Sequence, residues 1–222
     1  MWQWPVKECG MRVMGGEIPG EDDFDAPNGS DGGDFGSGGF GGDDYGNDFL
    51  EPDGWLPEYE LNYIRTRTPM PYVVVVPVHT DQLGRIEEVG TLLRVSDDGA
   101  VVERALVAGR VTYGEELRHA VMRHITRDLG PFALPAMPHT MQPFMVAEYF
   151  PMQGITPFYD KRQHAIALCY VVTMTGECQA KDETIDVEWT HVASDGIRSI
   201  VDQMPYGHGR ILAQALNDAG LL

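Results

Sequence analysis

Three side chains that could act on a phosphorylated ligand lie close together near the middle of the chain. His124, Arg127 and Asp128 are spaced i, i+3 and i+4, and this spacing places side chains on one face of a helix. The Asp128 carboxylate is the hard oxygen ligand that Mg²⁺ prefers, whereas the Arg127 guanidinium repels metals and binds phosphate. The imidazole of His124 could take up a proton or ligate a metal. This face is therefore a candidate site for phosphate chemistry.

A helix must position these three side chains, and the sequence predicts one over residues 114–129. Leu117, Val121 and Ile125 form an apolar stripe beside the candidate face, which predicts that the helix packs against a sheet. The helix is expected to end at Gly130, because glycine is favoured just past a helix end and the proline after it cannot continue the helix.

The segment over residues 109–131 resembles the signature of the Nudix hydrolase family, Gly-x5-Glu-x7-Arg-Glu-U-x-Glu-Glu-x-Gly-U, where U is bulky and apolar. The matching positions are Gly109, Glu115, Arg123, Ile125 and Gly130. The departures are Pro131 and the three positions where the family has its metal-binding glutamates, which are His124, Arg127 and Asp128 here. The resemblance thus implies a Nudix fold with an altered metal-binding face.

This resemblance implies the fold class α/β, specifically a Nudix-like α/β/α sandwich with a mixed β-sheet over residues 54–222. The late strand at residues 187–189 (Val-Glu-Trp), followed by a helix, is similar to the segment that closes many Nudix domains. Residues 55–222 as a whole are similar to a group of uncharacterised Nudix-related proteins from actinobacteria, in which the glutamate departures recur.

For the site, the resemblance implies Mg²⁺ or Mn²⁺ held weakly by Glu115 and Asp128. Family members often recruit an acidic residue outside the signature as base, and Glu148 is therefore a candidate beside His124. His164 is similar to a position used in the branch that hydrolyses GDP-sugars. The simpler alternatives are that Glu148 is an ion-paired or rim residue and that His164 is a surface or capping group.

Other basic side chains divide into arginines that could contact phosphate and histidines without a metal-site pattern. A guanidinium binds phosphate bidentately, and the candidate arginines are Arg104, Arg110, Arg127 and Arg162. The remaining histidines show no paired spacing and are expected at the surface or in loops: His79, His119, His139, His191 and His208.

Two functional hypotheses follow from these residues. The first is a metal-dependent hydrolase that cleaves a phosphoanhydride of a nucleoside diphosphate linked to another moiety. The second is a Nudix-fold module that has little or no turnover and binds a nucleotide-like ligand or regulates a partner. Arg127 favours the second, because it places a fixed positive charge where the metal would bind. Its guanidinium could also bind a substrate phosphate directly in place of the metal, and the resemblance makes the hydrolase the prediction, with the binding module as the alternative.

The rest of the domain is predicted from apolar periodicity and turn residues. Strands are expected at residues 72–76, 84–95, 100–108, 144–150, 164–174 and 185–192, with a turn at residues 97–99. Further helices are expected at residues 56–66, 194–204 and 208–219. The first of these helices is predicted to bury one face formed by Leu56, Tyr59, Tyr63 and Ile64.

Residues 1–53 differ sharply in composition from the rest of the chain. They contain 13 acidic and 2 basic residues, a net charge of −11, which leaves −7 of the whole-chain −18 for residues 54–222. A Gly-rich segment this acidic cannot bury enough apolar surface to fold alone, so a disordered acidic tail is predicted. It could fold on a basic protein partner or compete for the domain's own phosphate site.

Composition also excludes several function classes. The acidic balance argues against duplex nucleic acid as a partner, because such binding neutralises phosphates with Lys and Arg. No apolar run is long enough to span a membrane. Cys9, Cys169 and Cys178 are too few for a disulfide framework and lack zinc spacing, which favours the reducing cytoplasm. The family resemblance adds the expectation of a homodimer.

Overall fold

The structure is a computed structural model that describes residues 56–96, 99–181 and 184–222. The predicted acidic tail, residues 1–53, and two residues of the predicted turn, Asp97 and Asp98, lie outside the described residues. The helices are α1 (Glu58–Arg65), α2 (Leu117–Leu129), α3 (Gly196–Gln203) and α4 (His208–Asp218). The strands are β1 (Met70–Thr80), β2 (Ile86–Val95), β3 (Val102–Ala105), β4 (Val107–Arg110), β5 (Pro135–Ala136), β6 (Met145–Tyr149), β7 (Ala165–Met174) and β8 (Thr184–His191).

Strand β1 lies at the centre of one mixed sheet. It pairs in parallel with β7 along nine residues, from Met70 opposite Ala165 to Val78 opposite Thr173. On its other side it pairs antiparallel with β4 in its first half and with β2 in its second half. The antiparallel strands β6 and β5 extend the sheet beyond β7, and β3 and β8 flank β2.

The valines of β1 supply two separate hydrophobic cores, because successive side chains of a strand point to opposite faces. Val73 and Val75 belong to the core under α2. Val74, Val76 and Val78 belong to the core under α3 and α4. The predicted α/β/α sandwich with a mixed sheet is therefore confirmed.

Helix α2 begins three residues later than expected and ends where expected. The predicted stripe packs on the sheet, with Val121 and Ile125 fully buried and Leu117 partly buried. Gly130 adopts a φ of +84° after the last turn, and its N–H donates to the Thr126 carbonyl. A left-handed φ is easily reached only by glycine, so this residue ends the helix.

One local expectation was partly wrong, and one short strand was not predicted. Leu56 and Ile64 pack against the core as expected, but Tyr59 and Tyr63 are 71% and 61% exposed, and Leu61 is buried. The tyrosines lie on the solvent face, where Arg67 stacks on the Tyr63 ring at 3.6 Å. The short strand β5 arises in a proline-rich stretch without strand periodicity, because Pro135 and Ala136 pair with the end of β7.

None of the described helices is long and apolar enough to cross a membrane.

Candidate functional site

The first feature of the site is the close packing of Gly109 against His124. Gly109 lies in β4, and a Cβ built on it would overlap the His124 ring. His124 is only 3% exposed, and its Nε2–H donates to the Arg110 carbonyl at 3.0 Å. Burial lowers the pKa of His124 to about 4, so the imidazole is neutral at pH 7. A glycine is needed at position 109 because the imidazole fills the space above the strand.

Glu115 and Arg123 form a bidentate ion pair across the start of α2. Arg123 donates from Nε and Nη2 to the two Glu115 oxygens, each at 2.7 Å. The N–H and hydroxyl of Thr112 also donate to this carboxylate, both at 3.0 Å. Burial alone would raise the pKa of Glu115, but the hydrogen bonds from Arg123 and Thr112 lower it to about 2. Through these contacts Glu115 connects the loop before α2 to Arg123 of the helix.

Asp128 is held between two arginines. Arg127 donates from Nε and Nη2 to its two oxygens, at 2.7 and 2.9 Å, and Arg94 of β2 lies 2.7 Å from Oδ1. Arg127 Nη2 also donates to the Ala108 carbonyl at 2.9 Å. The Asp128 side chain is 3% exposed. A buried carboxylate is stable only when paired, and here the pairing is with guanidinium groups.

The predicted metal ligands Glu115 and Asp128 lie in separate ion pairs. In the part of the chain that the structure describes, no group of three or more His, Cys, Asp or Glu side chains is arranged to hold a metal. Both carboxylates already accept charged donors, and the guanidinium groups around Asp128 repel a cation. This face therefore does not fit a divalent metal.

Glu148 and His164, which were predicted separately, meet on the opposite side of β6 from the α4 core. His164 Nε2 lies 3.0 Å from Glu148 Oε1, and the His164 ring stacks on Phe150 with centroids 4.6 Å apart. Both side chains are substantially exposed. The pair could exchange a proton with a bound molecule, and it also fits the simpler ion-pair interpretation.

The predicted phosphate-binding arginines do not converge on one point. Arg104 donates to Glu188 at 2.6 Å and to Thr91 at 3.2 Å. Arg162 donates to Asp160 in the loop before β7. Arg110 offers its backbone carbonyl to Arg123 and His124, and its Nη1 is buried without a partner among the described residues. Of the four predicted arginines, only Arg127 lies at the Asp128 face.

Sequence reasoning missed Arg94 and His208. Arg94 joins Asp128 to a cavity of about 190 Å³ that Ala108 and His208 also line. His208 was expected at the surface or in a loop, but it begins α4 and its Nδ1 accepts the Leu106 N–H at 3.1 Å. Burial and the nearby Arg94 lower its pKa to about 4. In the sequence, Arg94 is a basic residue near the end of an apolar strand. This pattern indicates only that the strand reaches solvent there, so no local signal identifies Arg94 as a partner of Asp128.

The chain is similar to one protein family and to several solved structures. A family model described as Domain of unknown function (DUF4916) matches residues 51–221. A Jonesia denitrificans protein, described as a possible asymmetric diadenosine tetraphosphate (Ap4A) hydrolase, is 44% identical with a TM-score of 0.67. The match covers 70% of this chain and 98% of that one. No curated protein matches the sequence.

More distant structures show the fold alone. The Nudix domain of Shewanella oneidensis NrtR, in complex with ADP ribose, is 17% identical with a TM-score of 0.50, covering 73% of this chain and 99% of that one. A bifunctional NMN adenylyltransferase/ADP ribose pyrophosphatase from Francisella tularensis, with AMP and a manganese ion, is 16% identical with a TM-score of 0.50. That match covers 73% of this chain and 45% of the other.

Proposed function

The chain belongs to the DUF4916 family, a divergent branch of the Nudix hydrolase superfamily, and from this premise we propose that residues 54–222 bind a nucleotide-like phosphorylated ligand through arginine rather than metal. Turnover is weak or absent in this account. Of the two hypotheses drawn from the sequence, the geometry supports the binding or regulatory module better.

The observation that carries the proposal is the set of contacts around Asp128. Two guanidinium groups, from Arg94 and Arg127, surround one carboxylate at 2.7–2.9 Å. Within these contacts, two guanidinium groups share one carboxylate without any metal. Guanidinium groups bind phosphate oxygens in a bidentate manner, so this cluster can attract the anion that a metal attracts in the hydrolases.

The same contacts weaken the case for metal-dependent hydrolysis. Asp128 and Glu115 are committed to arginines, and His124 is neutral but shielded from solvent. A general base must reach the attacking water directly or through one other water. Mg²⁺ or Mn²⁺ binding by Glu115 and Asp128 would require these ion pairs to open. Base catalysis by His124 would require its buried ring to become accessible.

A second candidate is a hydrolase that uses residues outside the signature. Two observations favour it: the description of the Jonesia denitrificans relative as a possible Ap4A hydrolase and the exposed Glu148–His164 pair. In that case Glu148 would take the proton from the attacking water and His164 would hold the Glu148 carboxylate or contact the ligand.

The ligands bound in structures with a similar fold support this ligand class. The NrtR domain is in complex with ADP ribose, and the Francisella tularensis enzyme is in complex with AMP. We therefore expect a nucleotide-like small molecule as the partner. A homodimer, a basic protein partner for residues 1–53 and a cytoplasmic location stay predictions.

The experiment that separates the two candidates is product release from a panel of nucleoside diphosphate sugars, dinucleoside polyphosphates and nucleoside triphosphates. The full chain is assayed with Mg²⁺ or Mn²⁺, beside Glu148→Gln and the exposed control Glu177→Gln. The binding module is supported when no substrate turns over while some raise the melting temperature. Turnover that Glu148→Gln abolishes and Glu177→Gln retains would establish the hydrolase instead.

A further inference from the structure

Helix α1 presents two large aromatic side chains to solvent. Tyr59 and Tyr63 are spaced i and i+4 and are 71% and 61% exposed, so they lie side by side on the outer face of the helix. The inner face of α1 is fixed by the core, where Leu61 and Ile64 pack. The helix therefore cannot turn to bury the tyrosines without exposing these residues. Tyrosine is enriched at the centres of protein interfaces, which makes this outer face a candidate interaction surface.

The Tyr63 ring is held in place by Arg67. The guanidinium carbon of Arg67 lies 3.6 Å from the centre of the ring, in a cation–π contact. Arg67 Nη1 also donates to the Tyr63 carbonyl and to the Thr66 hydroxyl, both at 3.1 Å. A side chain that is already ordered loses less conformational entropy when a partner binds. Tyr63 is therefore a preorganised contact point.

Charge is distributed asymmetrically along one side of α1. Glu60, Tyr63 and Arg67 are spaced i, i+3 and i+7, which places them in one row along the helix. Among the described residues, the Glu60 carboxylate accepts the Tyr59 hydroxyl at 2.8 Å but contacts no cation. Within the same part of the chain, Arg67 contacts no carboxylate. The row therefore has an anion at one end, an aromatic ring in the middle and a cation at the other end.

This row is complementary to a second copy of itself. Two α1 helices that pack face to face in opposite directions are related by a two-fold axis, which brings the same patch of both chains together. With the axis at Tyr63, the two Tyr63 rings meet, and Glu60 of each chain lies opposite Arg67 of the other. Two ion pairs then flank the aromatic centre. Parallel helices would instead bring like charges together.

We propose that the outer face of α1, formed by Tyr59, Glu60, Tyr63 and Arg67, is a homodimer interface in which two α1 helices pack antiparallel about a two-fold axis at Tyr63. The family resemblance gave the expectation of a homodimer but no surface for it. The inference goes beyond the proposed function and is independent of it, because β2 and α2 form the Asp128 cluster.

The size of this face sets the expected strength of association. Stable complexes bury about 800 Å² on each partner, which is more than the outer face of an eight-residue helix provides. We therefore expect reversible association at micromolar or higher concentration rather than a permanent dimer. The net charge of −18 on each chain opposes association at low salt, and an ionic strength of about 0.15 M screens this general repulsion.

Sedimentation velocity of the full chain at this ionic strength, over a series of protein concentrations, tests the interface. Tyr63→Ser removes the central ring, and its control is Tyr113→Ser in the loop before α2, where the tyrosine is 92% exposed. Glu60→Arg and Arg67→Glu each place like charges on both sides of the aromatic centre. The control for Glu60→Arg is Glu177→Arg, which changes the net charge equally at an exposed position elsewhere. Circular dichroism melting checks that each variant folds.

We expect the wild type to dimerise reversibly and Tyr63→Ser to raise the dissociation constant about tenfold or more, as for a residue at the centre of an interface. Glu60→Arg and Arg67→Glu should each stay monomeric alone. An equimolar mixture of these two variants should associate, because the two cations of one then face the two anions of the other. A purely structural role of either residue predicts no such rescue. Both controls should match the wild type.

Three results would overturn the assignment. The first is a wild type that stays monomeric across the concentration series. The second is a dimer whose dissociation constant is unchanged by Tyr63→Ser and Glu60→Arg, because its interface must then lie elsewhere. The third is failure of the mixed Glu60→Arg and Arg67→Glu variants to associate, which contradicts the pairing of these two positions. Each of these results leaves ligand binding at the Asp128 cluster untouched.

Discussion

Arg94 Nη2 lies 2.7 Å from Asp128 Oδ1, which joins the end of β2 to the last turn of α2. Asp128 stands where Nudix hydrolases have a metal-binding glutamate, and its carboxylate is nearly completely buried. A second arginine, Arg127, closes the other side. The carboxylate therefore stabilises the fold in the absence of metal, and this role has measurable consequences.

Asp128→Asn should destabilise the protein even in EDTA. The amide leaves two guanidinium groups without their counter-charge, and breaking a buried pair on one side costs about 3–5 kcal/mol. Because both arginines are partly exposed, we expect the lower end of that range. Urea unfolding of the variant and of the exposed control Asp202→Asn gives the comparison. A metal ligand in a metal-free site would behave oppositely, with Asp128→Asn as stable as the wild type.

Gly109→Ala should also lower stability, because the new methyl group overlaps the buried His124 ring. Overpacking of this kind costs about 1–3 kcal/mol. The control is Gly196→Ala, where the nearest atom to the new Cβ is 3.8 Å away, so little change is expected. His124→Ala in both backgrounds completes a double-mutant cycle, and a coupling energy near zero would show that the two positions do not compete for space.

Arg123→Met should cost more stability than Arg85→Met. Arg123 makes a partly buried bidentate pair with Glu115, whereas Arg85 pairs with Asp81 at the surface with 74% of its side chain exposed. We expect a loss of about 2–3 kcal/mol for Arg123 and about 0–1 kcal/mol for Arg85. Equal losses in chemical denaturation would mean that the Glu115 pair does not hold the loop before α2.

Stability should fall as the pH drops below 6.5. The folded-state pKa of both His124 and His208 is lowered to about 4, through burial in each case. Protonation therefore favours the unfolded state, and stability is present in full above pH 6.5 and lost progressively between pH 6.5 and 4. Each histidine contributes a slope of up to about 1.4 kcal/mol per pH unit.

His124→Gln is the variant that isolates one of these slopes. Between pH 6.5 and 5, the variant should take up as much as one proton fewer on unfolding than the wild type. The slope of its unfolding free energy against pH is therefore smaller. Glu115, whose pKa is lowered to about 2, adds pH dependence only below about 4.5, outside this window. An unchanged slope between pH 6.5 and 5 would mean that His124 is already accessible to protons in the folded state.

The fold was predictable because its signals are local. The stripe of Leu117, Val121 and Ile125 marked the helix, and runs of β-branched residues marked the strands. Periodicity does not predict which face of a helix is buried when both faces carry apolar and polar residues. Helix α1 is such a case, because its tyrosines are exposed while Leu61 is buried.

The site was less predictable because its contacts join distant segments. His124, Arg127 and Asp128 were identified from their spacing, but Arg94 reaches Asp128 only through the packing of β2 against α2. The cavity draws its lining residues from five strands (β1, β2, β4, β6 and β7), the loop before β7, the turn before α4 and the start of α4. No spacing within one segment indicates such an arrangement, so the sequence did not identify Tyr149, Lys161 and His208 as residues that line a cavity.

We propose that arginines take the place of metal in holding phosphate, and calorimetric titration of ADP ribose tests this role most directly. The Kd is measured in EDTA and again with Mn²⁺, for the wild type and for Arg127→Gln. We expect the two wild-type values to agree within about twofold and Arg127→Gln to bind about tenfold more weakly, since a charged hydrogen bond is lost. Binding that requires Mn²⁺ and leads to product formation would contradict the account.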